Sequence, residues 1–146
     1  MRCEAYEALE QVENSQMALV LYKRLKVDRS STARTYAVIA ILMLMKKFGY
    51  EDDLVKKLRS SFLRERAKRV NLAYLALFYY MERNIENIYN ILVYIDDEDY
   101  HVRCNVVNIL GLVIDNENAG IVKNAYRKRY EIESTRSVKA TLEKYI

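Results

Sequence analysis

The chain of 146 residues is long enough for one domain whose core takes about two-thirds of the unfolded surface out of water. Hydrophobic residues at 51% and charged residues at 30% exclude a disordered chain. Proline is absent and the only glycines are Gly49, Gly111 and Gly120, which all but excludes a β-sandwich or barrel, whose turns need both residues, and leaves an all-helical chain.

Apolar residues at helical spacing predict segments near 3–13, 15–27, 32–48, 51–63, 66–82, 85–95, 100–114, 118–130 and 135–146. The acidic opening stretch Glu4, Glu7, Glu10, Glu13 lacks the basic flank and apolar run of a secretory signal. Ser30, Ser31 and Thr32 offer caps for the segment beginning near 32, and Gly49 after Lys46 and Lys47 marks its end. Asp52 and Asp53 place negative charge at the next helix start, where the helix dipole is positive. Asn84 separates the fifth and sixth segments, and Asp115 to Asn118 the seventh and eighth. The connections are short, so neighbouring helices run antiparallel. The longest apolar runs, Tyr36–Met45 and Leu72–Met81, hold ten residues each, against the roughly 20 that a bilayer requires, so no membrane is expected. Cys3 and Cys104 stand alone and read as reduced thiols of a cytoplasmic protein.

A repeat underlies these segments. Ala33-Arg34, Ala67-Lys68, Val102-Arg103 and Val138-Lys139 each join a small or β-branched apolar residue to a base, at spacings of 34, 35 and 36 residues. Apolar residues recur four and eight positions later at Ala37 and Ile41, Val106 and Leu110, and Leu142 and Ile146. The second copy has Asn71 and Leu75 there. An acid stands five residues ahead of the pair in three copies, Asp28, Asp97 and Glu133, where the second copy has Phe62.

The stretch Asp97 to Arg103, followed by Val106-Val107, Ile109-Leu110-Gly111 and Val113, resembles the second half of a HEAT repeat. The resemblance implies an α-α superhelix of about four helical hairpins, near 15–48, 51–82, 85–114 and 118–146. Together they would make a single domain over 1–146, with 1–13 as an added N-terminal capping helix and the second helices lining a concave face. In proteins of this pattern the turn acids and bases bond between adjacent repeats. Asp28, Asp97 and Glu133 with Arg34, Lys68, Arg103 and Lys139 are therefore expected to be structural.

Little else in the chain suggests chemistry, and no enzyme activity is expected. His101 is the lone histidine and sits in a turn beside Asp99, without the pocket that acid–base work needs. Asp96-Asp97-Glu98-Asp99 lacks the glycine and alternate spacing of a calcium loop, and one His with two distant Cys cannot make a zinc site. No glycine-rich phosphate loop occurs, so neither cofactor nor metal is expected.

Partner binding is the function that remains. Residues 23–69 carry a net +9 and residues 70–122 a net −6, a distribution that steers an acidic partner to the first half. Stepping along the second helices from the residue before each dipeptide gives Thr32, Tyr36, Ile39, Met43, then Arg66, Val70, Ala73, Leu77, as groove-facing stripes. The later stripes, His101, Asn105, Asn108, Leu112 and Ser137, Thr141, Lys144, are polar. The expected site is an apolar groove of Tyr36, Ile39, Met43, Val70 and Leu77 rimmed by Arg66 and Arg69. Its occupant would be an acidic protein segment, an amphipathic helix or a second copy of the chain. The rival reading is nucleic-acid binding through the basic 23–69 segment.

Overall fold

The computed structural model describes residues 3–5 and 17–146. Eight α-helices follow one another among the longer run: α1 (Met17–Val27), α2 (Ser31–Phe48), α3 (Asp52–Arg64), α4 (Lys68–Glu82), α5 (Ile85–Leu92), α6 (Tyr100–Gly111), α7 (Ala119–Ile132) and α8 (Arg136–Glu143). No strand occurs among the described residues. Each predicted segment from 32 onward meets one helix within a few residues. The predicted 3–13 segment falls mostly outside the described residues, with 3–5 helical. The expected 85–95 helix stops at Leu92 and tightens into a 3-10 turn over Val93–Asp96.

Local chemistry sets these ends. Ser30 caps α2 by accepting the Ala33 N–H at 3.2 Å, and Asn84 and Asp99 do the same for α5 and α6 at 3.0 and 2.9 Å. Gly49 closes α2 with φ at 77°, a left-handed value that a side chain resists, and donates its N–H to the Met45 carbonyl. Arg83, after α4, takes φ of 56° without being glycine.

The described residues fall into two compact units, divided between Leu77 and Phe78. Helix α4 belongs to both. In the first unit α1 packs along α2 and also touches α3. In the second, α5 packs on α6 and α7, and α8 on α6 and α7. Leu21, Leu25, Ile41, Leu42 and Leu58 are buried in the first unit. Ile88, Ile91, Val106, Leu110, Val122 and Leu142 are buried in the second. Each such side chain contributes about 2 kcal/mol by leaving water.

Gly111, the last residue of α6, is a packing position. A Cβ there would run into the Tyr145 ring, which itself packs edge-on against Tyr126 at 5.8 Å. Gly111→Ala is expected to destabilise the protein by about 1–3 kcal/mol in urea denaturation, because the ring must leave its contact. Gly111→Ala combined with Tyr145→Ala is expected to lose less than the sum of the two single changes.

Candidate interaction surface

The turn ahead of each second helix is built the same way. Asp28, Glu65, Asp97 and Glu133 each accept, through the side chain, the backbone N–H two residues later, at 3.0, 3.1, 2.9 and 2.9 Å. Six residues after the acid stand Arg34, Asn71, Arg103 and Lys139, whose own N–H groups all bond four residues back, to Ser30, Ala67, Asp99 and Thr135. The repeat frame is therefore set by Glu65 and Asn71 in the second copy, three residues later than the Ala67-Lys68 pair suggests. The steps become 37, 32 and 36 residues. Ala33, Val70, Val102 and Val138 then occupy one equivalent place, and all are buried.

Two of these turns are clamped to the next. Arg34 donates Nε to Glu65 Oε2 at 2.8 Å and Nη2 to Oε1 at 3.0 Å, while Nη1 takes the carbonyls of Asp28 and Arg29. Arg103 repeats the arrangement with Glu133 at 2.9 and 3.0 Å and the carbonyls of Asp97 and Glu98. A planar fork meeting a carboxylate with two parallel bonds is the strong form of this contact. Burial works to raise the Glu133 carboxyl, but Arg103, the Thr135 amide and Arg129 outweigh it and hold the group at about 2. Glu65 is held below its ordinary value in the same contest, by Arg34 and two backbone amides. Asn71 is too short for this role. Its Nδ2 reaches only the Glu65 carbonyl, at 3.4 Å, and its buried Oδ1 has no hydrogen-bond partner among the described residues.

Of the residues expected to form the groove, Tyr36, Ile39 and Met43 lie half-buried along one face of α2. The remaining apolar residues of that helix, from Ala37 to Met45, are buried. Arg66 is exposed and Arg69 half-buried. Val70 and Leu77 are fully buried, at 0% exposure each, and belong to the core rather than to a binding surface. Ala73 and Ala76 of the same helix are buried as well, at 2% and 1%, so α4 is packed on both sides of the counted stripe. Counting by the same steps from Arg69 gives Ala73, Ala76 and Tyr80, of which only Tyr80 is half-buried.

The basic segment is thinner than its charge suggests. Arg34 is committed to Glu65, and Lys57 pairs with Asp53 at 2.9 Å. Lys23, Arg24, Lys26, Arg29, Lys56 and Arg64 are exposed. The acidic run is likewise committed: Asp96 pairs with Arg129, and Asp97 and Asp99 cap turn amides. His101 stacks on Tyr100 at 3.9 Å, and no group of three or more metal-ligating side chains gathers among the described residues. No described helix is long and apolar enough to cross a membrane.

One concavity was not foreseen from the sequence. A recess of ≈ 290 Å³ opens in the first unit where α1 and α3 end, lined by Lys26, Asp28, Arg34, Ser61, Arg64, Glu65 and Tyr74 among others. Burial pushes the Tyr74 phenol well above its ordinary range. No family model matches the chain, and neither a curated protein nor a solved structure matches it.

The Glu133 clamp has a pH signature. Its carboxyl is lower in the folded chain than its ordinary 4.5, so its contribution is present above about pH 4.5 and is lost as pH falls toward 2. Glu133→Gln is expected to cost about 3 kcal/mol or more at neutral pH, because it leaves the Arg103 charge buried without its partner. The gap between wild type and variant in urea melts is expected to close across that acid range.

Proposed function

We propose that this chain is a non-enzymatic protein-interaction module, an α-α superhelix of about four HEAT-like repeats that holds a partner segment on its concave face. The repeated acid turn, the arginine clamps and the contacts between equivalent helices within each unit support the repeat reading. The observation that carries the binding role is the stripe on α2. Tyr36, Ile39 and Met43 keep part of their apolar surface in water on a helix whose other apolar side chains from Ala37 to Met45 are buried. A helix so apolar favours a cover along that stripe, and the exposed Arg66 supplies a basic rim. The partner this surface suits is an acidic or amphipathic helix. The free thiols of Cys3 and Cys104 suit a reducing, cytoplasmic setting.

A second reading, nucleic-acid binding, draws on the exposed bases Lys23, Arg24, Arg29 and Lys56 of the same unit. The capture of Arg34 and Lys57 by carboxylates weakens it.

Replacing Tyr36 and Met43 together by Asp is expected to abolish partner capture from the native host while leaving the helical circular dichroism intact. Val70→Ala, by contrast, is expected to leave capture specificity unchanged and to lower stability by about 1–2 kcal/mol. A gel-shift series at rising salt separates the two readings: retention of duplex or single strand that falls steeply with salt would replace protein binding by phosphate binding.

A further inference from the structure

The second unit shows what belongs in the recess between the ends of α1 and α3. Four residues before the clamped acid, Glu133, stands Arg129, whose Nε bonds Glu133 Oε2 at 2.9 Å and whose Nη1 bonds Asp96 Oδ1 at 2.9 Å. That guanidinium fills the corner beside the clamp, with only 15% of its side chain exposed. Four residues before Glu65 in the first unit stands Ser61, and in place of Asp96 stands Val27. The plug and its anchor are both missing there, and the recess is the room they leave.

The substitutions around the recess also reverse its charge. Relative to the second unit, Lys26 replaces Ile95, Val27 replaces Asp96 and Arg64 replaces Ile132, while Ser61 replaces Arg129. The corner becomes more positive by two charges although it has lost its central cation. Neither Lys26 nor Arg64 has a carboxylate partner among the described residues; Lys26 lies only over the Tyr22 ring, at 5.8 Å. Both cations stand at helix C-termini, where the negative dipole ends offset part of their charge, and both are exposed to water. Two acids line the recess and both are engaged: Glu65 Oε1 takes N–H groups from Arg34, Arg66 and Ala67, and Asp28 Oδ1 takes the Ser30 N–H at 3.0 Å. Beside the two cations in the chain lie Val27, 67% exposed, and Leu63, at 83% the most exposed large hydrophobic residue described.

We propose that this recess receives a carboxylate side chain from an acidic segment of another protein, with Lys26 and Arg64 as counter-charges and Val27 and Leu63 as contacts for apolar residues flanking that carboxylate. The surface is separate from the α2 stripe and does not depend on it. Aliphatic flanks favour a peptide over a nucleic acid, whose bases stack on aromatic faces. A single side-chain carboxylate fits a corner that already holds two neutralised acids.

The test is fluorescence anisotropy with a short labelled peptide alternating glutamate and leucine. A peptide with lysine for glutamate and a labelled DNA, single-stranded and duplex, are measured beside it. Ser61→Arg restores the plug of the second unit, and the Lys26→Glu, Arg64→Glu double change reverses the rim. Each is expected to weaken the acidic peptide about tenfold or more, the scale of one lost ion pair in a partly closed site. The matched reversal of two exposed α7 lysines, Lys123→Glu with Lys128→Glu, is expected to leave the affinity within about twofold. Thermal melts are expected to show Ser61→Arg folded, with a cooperative transition near that of wild type, because Glu65 Oε2 can accept the new guanidinium as Glu133 does while Tyr74 loses the Ser61 hydroxyl as its hydrogen-bond partner. If Ser61→Arg fails to fold, the rim reversal carries the test alone. Unchanged peptide affinity in the rim variant, no binding of the acidic peptide, or tighter binding of DNA through the same residues would each overturn the proposal.

Discussion

An arginine fork closed on a carboxylate, with its third nitrogen on the carbonyls of its own turn, is the contact from which the described turns take their geometry. The fork is planar and its donors are fixed, so a hairpin that offers the acid in any other place forfeits two parallel bonds at once. Breaking such a buried pair on one side costs several kcal/mol, whereas forming it is close to neutral once desolvation is counted. Its effect is thus to select one register over its neighbours more than to add stability. Arg34 and Arg103 do this over separations of 31 and 30 residues, one in each unit.

Most of the secondary structure could be read directly from the chain. Side-chain caps at Ser30, Asn84 and Asp99, the glycine after Lys47 and the apolar spacing are local signals, and local forces decide helix ends. The repeat frame was harder, because a base after an apolar residue is a common pair and two such pairs compete near residue 67. Searching for the acid first would have chosen Glu65, since the turn amides need a carboxylate and have no use for the base. That one choice places Val70 at the buried position shared by Ala33, Val102 and Val138. The 3-10 turn over Val93–Asp96 left no comparable mark, because its residues continue the apolar spacing of α5.

The recess was invisible for another reason. It arises from what is absent at Ser61 and Val27, and absence shows only when two turns of the same build are laid side by side. Asp96-Arg129-Glu133 in one unit supplies the template against which Val27-Ser61-Glu65 in the other reads as an opening. The α2 stripe, in contrast, was visible as a helix with no polar face, although the structure covers more of it than an open groove would suggest.

Arg83 leads to a last consequence. Its backbone sits in a region that glycine enters freely and an arginine enters at a cost of about 1 kcal/mol, yet its guanidinium pairs with the Asp115 carboxylate that also holds the Tyr79 hydroxyl at 2.7 Å. The two demands pull toward different amino acids, and no natural residue meets both. Glycine would relax the chain and leave Asp115 to the Tyr79 hydroxyl and the Glu117 and Asn118 amides, without a counter-charge, and a β-branched residue would fail on both counts. Asparagine tolerates the left-handed region but is too short to place a charge on Asp115, so it serves the backbone alone.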